Sequence, residues 1–164
     1  MRAEDQNEVV YVVDDDPSAR ESLCWLLGTE GIASRAFASA QAFLEYWSGD
    51  YNGCIMVDIR MPGKSGLQLQ EELNARHNLM PVIVLTGHAD VPVAIRAMKQ
   101  GAYDFLEKPY ADEELLACVK TALELGREIS DAESEKTRAA KALENLTERE
   151  REVMCLVVEG NTNK

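Results

Sequence analysis

A chain of 164 residues with 46% hydrophobic content can bury one good core, with a remainder for a linker or part of a second domain. Its 29 acidic and 17 basic residues leave a net charge of −12, which opposes nucleic-acid binding by this stretch alone, because affinity for phosphate backbones rests on clustered Lys and Arg. The early apolar run Val9 to Val13 is far shorter than the ~20 residues of a membrane helix, and the acidic N-terminus lacks the charged start of a signal peptide, so a cytoplasmic protein is expected.

Apolar strand-like runs alternate with amphipathic stretches five times, the pattern of an α/β protein whose parallel sheet is covered on both faces. The first strand, about 9–14, runs into Asp14 and Asp15, and Pro17 suits the first turn of a helix over about 17–28. Gly28 and Gly31 lie where that helix should stop. A second strand at about 32–37 has the weaker alternation of an edge, and Ser39 can cap a helix at about 39–48. The third strand, about 53–58, carries Cys54-Ile55-Met56-Val57 and ends in Asp58, ahead of a helix at about 66–76. The fourth, about 82–86, closes on Thr86 and precedes a helix at about 91–100 that stops at Gly101. The fifth, about 103–107, is followed by Lys108, and the fifth helix starts near Asp112. A first domain over 8–125 results.

Between Asp112 and Asn145 there is no proline, and only Gly126 interrupts good helix formers. The fifth helix can therefore run on as a linker over 126–145, with a possible hinge at Gly126. Ile129, Ala132, Ala139 or Ala140, and Leu143 form a thin apolar stripe, and Glu133/Lys136 and Glu135/Arg138 are spaced to pair across a turn. The stripe, mostly alanine, suits either a solvated single helix or a dimer-forming coiled coil. Thr147-Glu148-Arg149-Glu150 is a capping box ahead of the apolar face Val153, Met154, Leu156 and Val157, and Gly160 ends that helix. A helix of about twelve residues cannot bury its face alone, so 146–164 is expected to be the start of an incomplete, all-α second domain. Cys24, Cys54, Cys118 and Cys155 form no C-x-x-C pair, which favours free buried thiols over a zinc site or a disulfide framework.

The chemistry gathers at the strand ends. In an open parallel sheet, ligands bind in the crevice beyond the carboxyl ends of the strands. If the first and third strands are neighbours, Asp14, Asp15 and Asp58 converge there, and packed like charges invite a proton or a hard cation. Mg²⁺ is the natural occupant. Thr86 and Lys108, at the ends of the fourth and fifth strands, bring a hydroxyl and an ammonium to the same crevice. Such a set suits phosphoryl transfer to a carboxylate: the cations offset the charge of the incoming group, the hydroxyl donates to one of its oxygens, and Asp58 is the nucleophile.

These residues resemble the receiver domains of two-component response regulators, through Val13-Asp14-Asp15-Asp16, Asp58-Ile59-Arg60-Met61-Pro62-Gly63-Lys64-Ser65-Gly66, Thr86-Gly87-His88 and Phe105-Leu106-Glu107-Lys108-Pro109. Each motif sits at a strand end, in order. The resemblance implies a flavodoxin-like fold with sheet order 2-1-3-4-5, phosphorylation of Asp58 by a histidine kinase, and Mg²⁺ held by Asp15, Asp58 and the backbone carbonyl of Arg60, with Asp14 acting through water. It implies a cis peptide between Lys108 and Pro109, and a relay in which Thr86 moves toward the phosphoryl group while Phe105 turns inward. Periodicity alone does not separate that role of Phe105 from ordinary packing. Arg60 and His88 occupy positions where family members differ in the lifetime of the acyl phosphate, and Asp16 stands where a glutamate is common.

The segment from Leu146 resembles the first helix of a LuxR-type helix-turn-helix domain, which together with the receiver suggests the FixJ/NarL class of transcription regulators. That implies DNA as a partner of the complete C-terminal domain, whose groove-reading helix lies past Lys164, and a phosphorylation-dependent homodimer. Two other readings compete: a receiver acting only through protein contacts, and a Mg²⁺-dependent aspartyl phosphatase. The phosphatase needs a second acid two residues after the nucleophile, where this chain has Arg60.

Overall fold

A computed structural model describes residues 8–49, 52–87 and 90–145, together with Glu150 and Glu152. Three strands rich in aliphatic residues are buried along almost their whole length: β1 (Val9–Val13), β3 (Gly53–Asp58) and β4 (Val82–Thr86). Backbones flanked by apolar side chains on both faces suit the middle of a covered sheet, and these three take it. The more exposed strands β2 (Ala33–Phe37) and β5 (Asp104–Glu107) form the edges. All neighbours are parallel and the order is β2-β1-β3-β4-β5, the flavodoxin-like arrangement expected.

Helices α1 (Pro17–Thr29), α2 (Ala40–Tyr46), α3 (Gly66–Ala75), α4 (Val91–Lys99) and α5 (Asp112–Glu144) follow the strands in turn. Alternation along the central strands splits the core into two layers. Tyr11, Val13, Ile55, Val57 and Val84 share one layer with Phe43 of α2, Leu69 and Leu73 of α3, and Ala94 and Ala97 of α4. Val10, Val12, Met56, Ile83 and Leu85 share the other with Leu23 and Leu27 of α1 and Leu115, Val119 and Leu123 of α5.

Local chemistry sets the helix starts. Asp16 caps α1 by accepting from the Ser18 amide at 3.0 Å, with Pro17 at the first helical position, and Ser39 caps α2 through the Ala42 amide at 3.1 Å. Ser65 and Gln68 form a reciprocal capping box on α3. Gly28 proves to lie inside α1, and the chain turns at Gly31, whose φ of +71° is the left-handed conformation glycine tolerates. Helix α5 continues through Gly126, which is buried. A β-carbon there would stand 2.7 Å from the Gly53 carbonyl oxygen. Close backbone approach accounts for a glycine at this position.

The chain divides into two compact units, residues 1–129 and 130–164. In the second, residues 131–145 are exposed and Lys136 pairs with Glu133 at 3.8 Å, as the spacing predicts. The capping box and the apolar face expected after it lie outside the described residues, apart from Glu150 and Glu152. Cys24, Cys54 and Cys118 are free thiols, and Cys155 is outside the described residues. No helix among the described residues is long and apolar enough to cross a membrane.

Candidate functional site

Strand register decides what meets at the carboxyl edge of the sheet. Val13 lies opposite Val57, Asp58 opposite Leu85, and Thr86 opposite Glu107. The residues that follow β1 and β5, and those that end β3 and β4, are therefore brought to one crevice. Asp14 is fully buried, Asp58 half-buried and Asp15 exposed, and one carboxylate oxygen from each lies within 4.8 Å of the others. The Lys108 ammonium reaches Asp14 Oδ2 at 3.4 Å and Asp58 Oδ2 at 3.5 Å. Its backbone amide donates to the Thr86 carbonyl at 2.7 Å, and the Lys108-Pro109 peptide is cis, as expected.

The electrostatics are unbalanced in favour of a cation. Burial pushes the Asp58 carboxyl above its ordinary value; Lys108 opposes this, Asp14 adds to it, and the Arg60 amide, which donates to Asp58 Oδ1 at 3.2 Å, opposes it again. Burial acts to lower the Lys108 ammonium, but Asp58 and Asp14 outweigh it and raise its affinity for a proton. Three ionised carboxylates against one ammonium leave a local charge of −2, which one divalent ion offsets. An all-oxygen donor set suits a hard cation such as Mg²⁺, so these residues fit the metal the sequence implied.

The Thr86 side chain is buried, and its hydroxyl donates to the Gly87 carbonyl at 3.0 Å. Phe105 is half-buried and packs against the layer beneath α2, α3 and α4. His88 lies outside the described residues. The Arg60 side chain turns to Asp90, a contact not anticipated from sequence: its Nε donates to both carboxylate oxygens at 2.7 Å. An aspartate just before Val91-Pro92 looks like a helix cap, and no local pattern marks its pairing with a residue 30 positions away.

Thus a parallel five-stranded sheet carries an acidic triad, a lysine and a buried threonine at its carboxyl edge. Residues 10–120 match the response regulator receiver domain family, and the chain belongs to that family. Its relatives include transcriptional regulators of the FixJ type. The transcriptional regulatory protein FixJ of Azorhizobium caulinodans is 47% identical over 155 residues, 94% of this chain and 74% of that protein. TdiR of Thauera aromatica is 42% identical over 94% of this chain and 68% of its own length. Among solved structures, response regulator StyR matches with a TM-score of 0.86 at 39% identity, over 93% of this chain and 77% of that one. FixJ-N matches at 0.68 and 41% identity, over 71% of this chain and 94% of that one.

Proposed function

We propose that this chain is the phosphoacceptor of a two-component pair, switching a transcriptional output. The observation that carries the reading is the Lys108 ammonium placed 3.4–3.5 Å from both Asp14 and Asp58 within an acidic triad. An Asp58 oxygen attacks the phosphorus of a histidine kinase's phosphoimidazole. The new O–P bond forms as the P–N bond breaks, and the electron pair leaves with the imidazole nitrogen. Lys108 pairs with a phosphoryl oxygen while the Asp14 carboxylate holds the ammonium in place. Asp15, Asp58 and the Arg60 backbone carbonyl would hold Mg²⁺, with Asp14 acting through water, and the ion would supply the remaining charge neutralisation.

The Thr86 hydroxyl leaves the Gly87 carbonyl to donate to a phosphoryl oxygen. Phe105 follows into the vacated space, altering the surface formed by α4, β5 and α5. Arg60 and His88 tune how long the acyl phosphate survives. The chain turns over nothing except its own phosphoryl group, in the cytoplasm, and its phosphorylated form dimerises. DNA is the partner of the complete LuxR-type domain that residues 146–164 begin, after a receiver over 8–125 and a linker over 126–145. The FixJ and TdiR relatives are transcriptional regulatory proteins, which supports this output. The test is labelling by acetyl phosphate with and without Mg²⁺, in wild type and in Asp58→Asn.

A further inference from the structure

One ion pair joins the two loops that flank the acceptor. Arg60, two residues after Asp58, donates from Nε to both oxygens of Asp90 at 2.7 Å and from Nη2 to Oδ1 at 2.6 Å. The guanidinium side is 72% exposed, whereas the aspartate side chain is only 9% exposed. Asp90 stands at the N-cap of α4 but makes no side-chain capping bond. Its carboxylate is committed to Arg60 instead of to the helix amides that an aspartate there usually serves.

The same residue reaches the loop that carries the hydroxyl. The Asp90 amide donates to the Gly87 carbonyl at 3.0 Å, and that carbonyl also accepts the Thr86 hydroxyl at 3.0 Å. On the other side, the Arg60 amide donates to the acceptor carboxylate itself. A continuous set of contacts therefore runs Asp58, Arg60, Asp90, Gly87, Thr86. Its members are the acceptor, an exposed cation, a shielded anion, and the carbonyl on which the Thr86 hydroxyl rests.

We propose that Asp90 is a positioning residue for phosphoryl transfer: it holds the Arg60 guanidinium away from Asp58, and an arriving phosphoryl group competes for that guanidinium and frees the Asp90 amide from the Gly87 carbonyl. This rests on the phosphoacceptor reading of Asp58. A phosphoryl group offers a guanidinium two or three charged oxygens in a fork that matches its own geometry. The guanidinium is already largely in solvent, so exchanging one anion for the other requires little new exposure. Arg60 thereby links arrival of the group to release of the Gly87 carbonyl on which the Thr86 hydroxyl rests.

The experiment is a double-mutant cycle on the chain with its Mg²⁺, using acetyl phosphate as donor. Asp90→Asn keeps the shape and removes the charge, and should speed labelling about two- to fivefold, the range a part-exposed ion pair supports. In an Arg60→Ala background the same change should have no effect, and Asp90→Glu, which keeps an anion within reach, should behave as wild type. Labelling that is unchanged or slower in Asp90→Asn, or equally accelerated with and without Arg60, overturns the proposal. Amide hydrogen exchange in metal-free protein supplies a second readout. Asp90→Asn and Arg60→Ala should each speed exchange of the residue 90 amide, with no further gain when combined. Additive effects, or none, overturn it. If wild type takes no label at all, the acceptor reading fails, and the exchange cycle alone judges the Arg60–Asp90 restraint.

Discussion

At Asp58, burial and the neighbouring Asp14 favour the neutral carboxyl, while Lys108 and the Arg60 amide favour the charged one; the first pair prevails. A carboxyl whose folded pKa is raised binds its proton more tightly in the folded state. Its stabilising contribution is complete below the unfolded value of about 3.9 and is lost as pH rises through the folded value. Metal-free protein at neutral pH therefore carries a penalty that Asp58→Asn removes. Thermal unfolding in chelator should show the variant melting a few degrees higher at pH 7, with the gain vanishing toward pH 4. Mg²⁺ should raise the melting temperature of wild type and leave Asp58→Asn nearly unmoved, because only a ligand bound to the folded state stabilises it. A variant no more stable than wild type in chelator would show that the site is not under charge strain. Asp14, Asp15, Asp58, Thr86 and Lys108 were legible in the sequence because each follows or ends a strand-like run, and strand ends of a parallel sheet share one edge. Asp90 was not, since side-chain pairing between distant loops leaves no periodic trace.

Two glycines in helices show how far sequence reaches at the level of elements. Gly28 sits exposed in α1 with open space around it, whereas Gly126 of α5 lies against the Gly53 carbonyl. Gly53 is itself confined, since a β-carbon on it would meet the Val9 carbonyl oxygen, and its φ is +137°. Gly28→Ala should therefore stabilise the domain by about 0.4–1 kcal/mol, and Gly126→Ala should destabilise it by about 1–3 kcal/mol through overpacking. Urea denaturation measures both, and changes of the same sign would refute the packing account. Element positions were readable to within a residue or two because the central strands are continuous apolar runs and two helix starts carry Pro17 and Ser39; the caps made by Asp16 and Ser65 emerged only in the structure. The close packing of Gly126 was not readable, because a close backbone approach depends on which strand the helix crosses. The same limit hid Gln70, a buried side chain of α3 whose amide donates to the Ala97 carbonyl of α4 at 3.0 Å.

At the scale of the whole molecule, a net charge of −12 works against any phosphate backbone. Residues 1–164 should accordingly fail to retain DNA selectively in a mobility-shift assay, phosphorylated or not; tight, sequence-selective retention would contradict this. Association is a separate matter. If the surface of α4, β5 and α5 carries the signal, phosphorylation should raise the sedimenting mass of wild type, while Thr86→Ala takes the label but shows a much smaller change. Equal changes in both proteins would place the sensing elsewhere. The covered parallel sheet follows from strand pattern, and the acidic crevice follows once β1 and β3 are neighbours, but the consequences of phosphorylation do not, because Phe105 and the buried alanines of α4 pack as ordinary core. The most direct test of the central claim is therefore chemical: incubate the chain with acetyl phosphate, and locate the label by peptide mass. The expected product is an acid-stable, hydroxylamine-sensitive acyl phosphate on Asp58 that requires Mg²⁺ and is absent from Asp58→Asn. Label on another residue, or equal labelling in chelator, would contradict it.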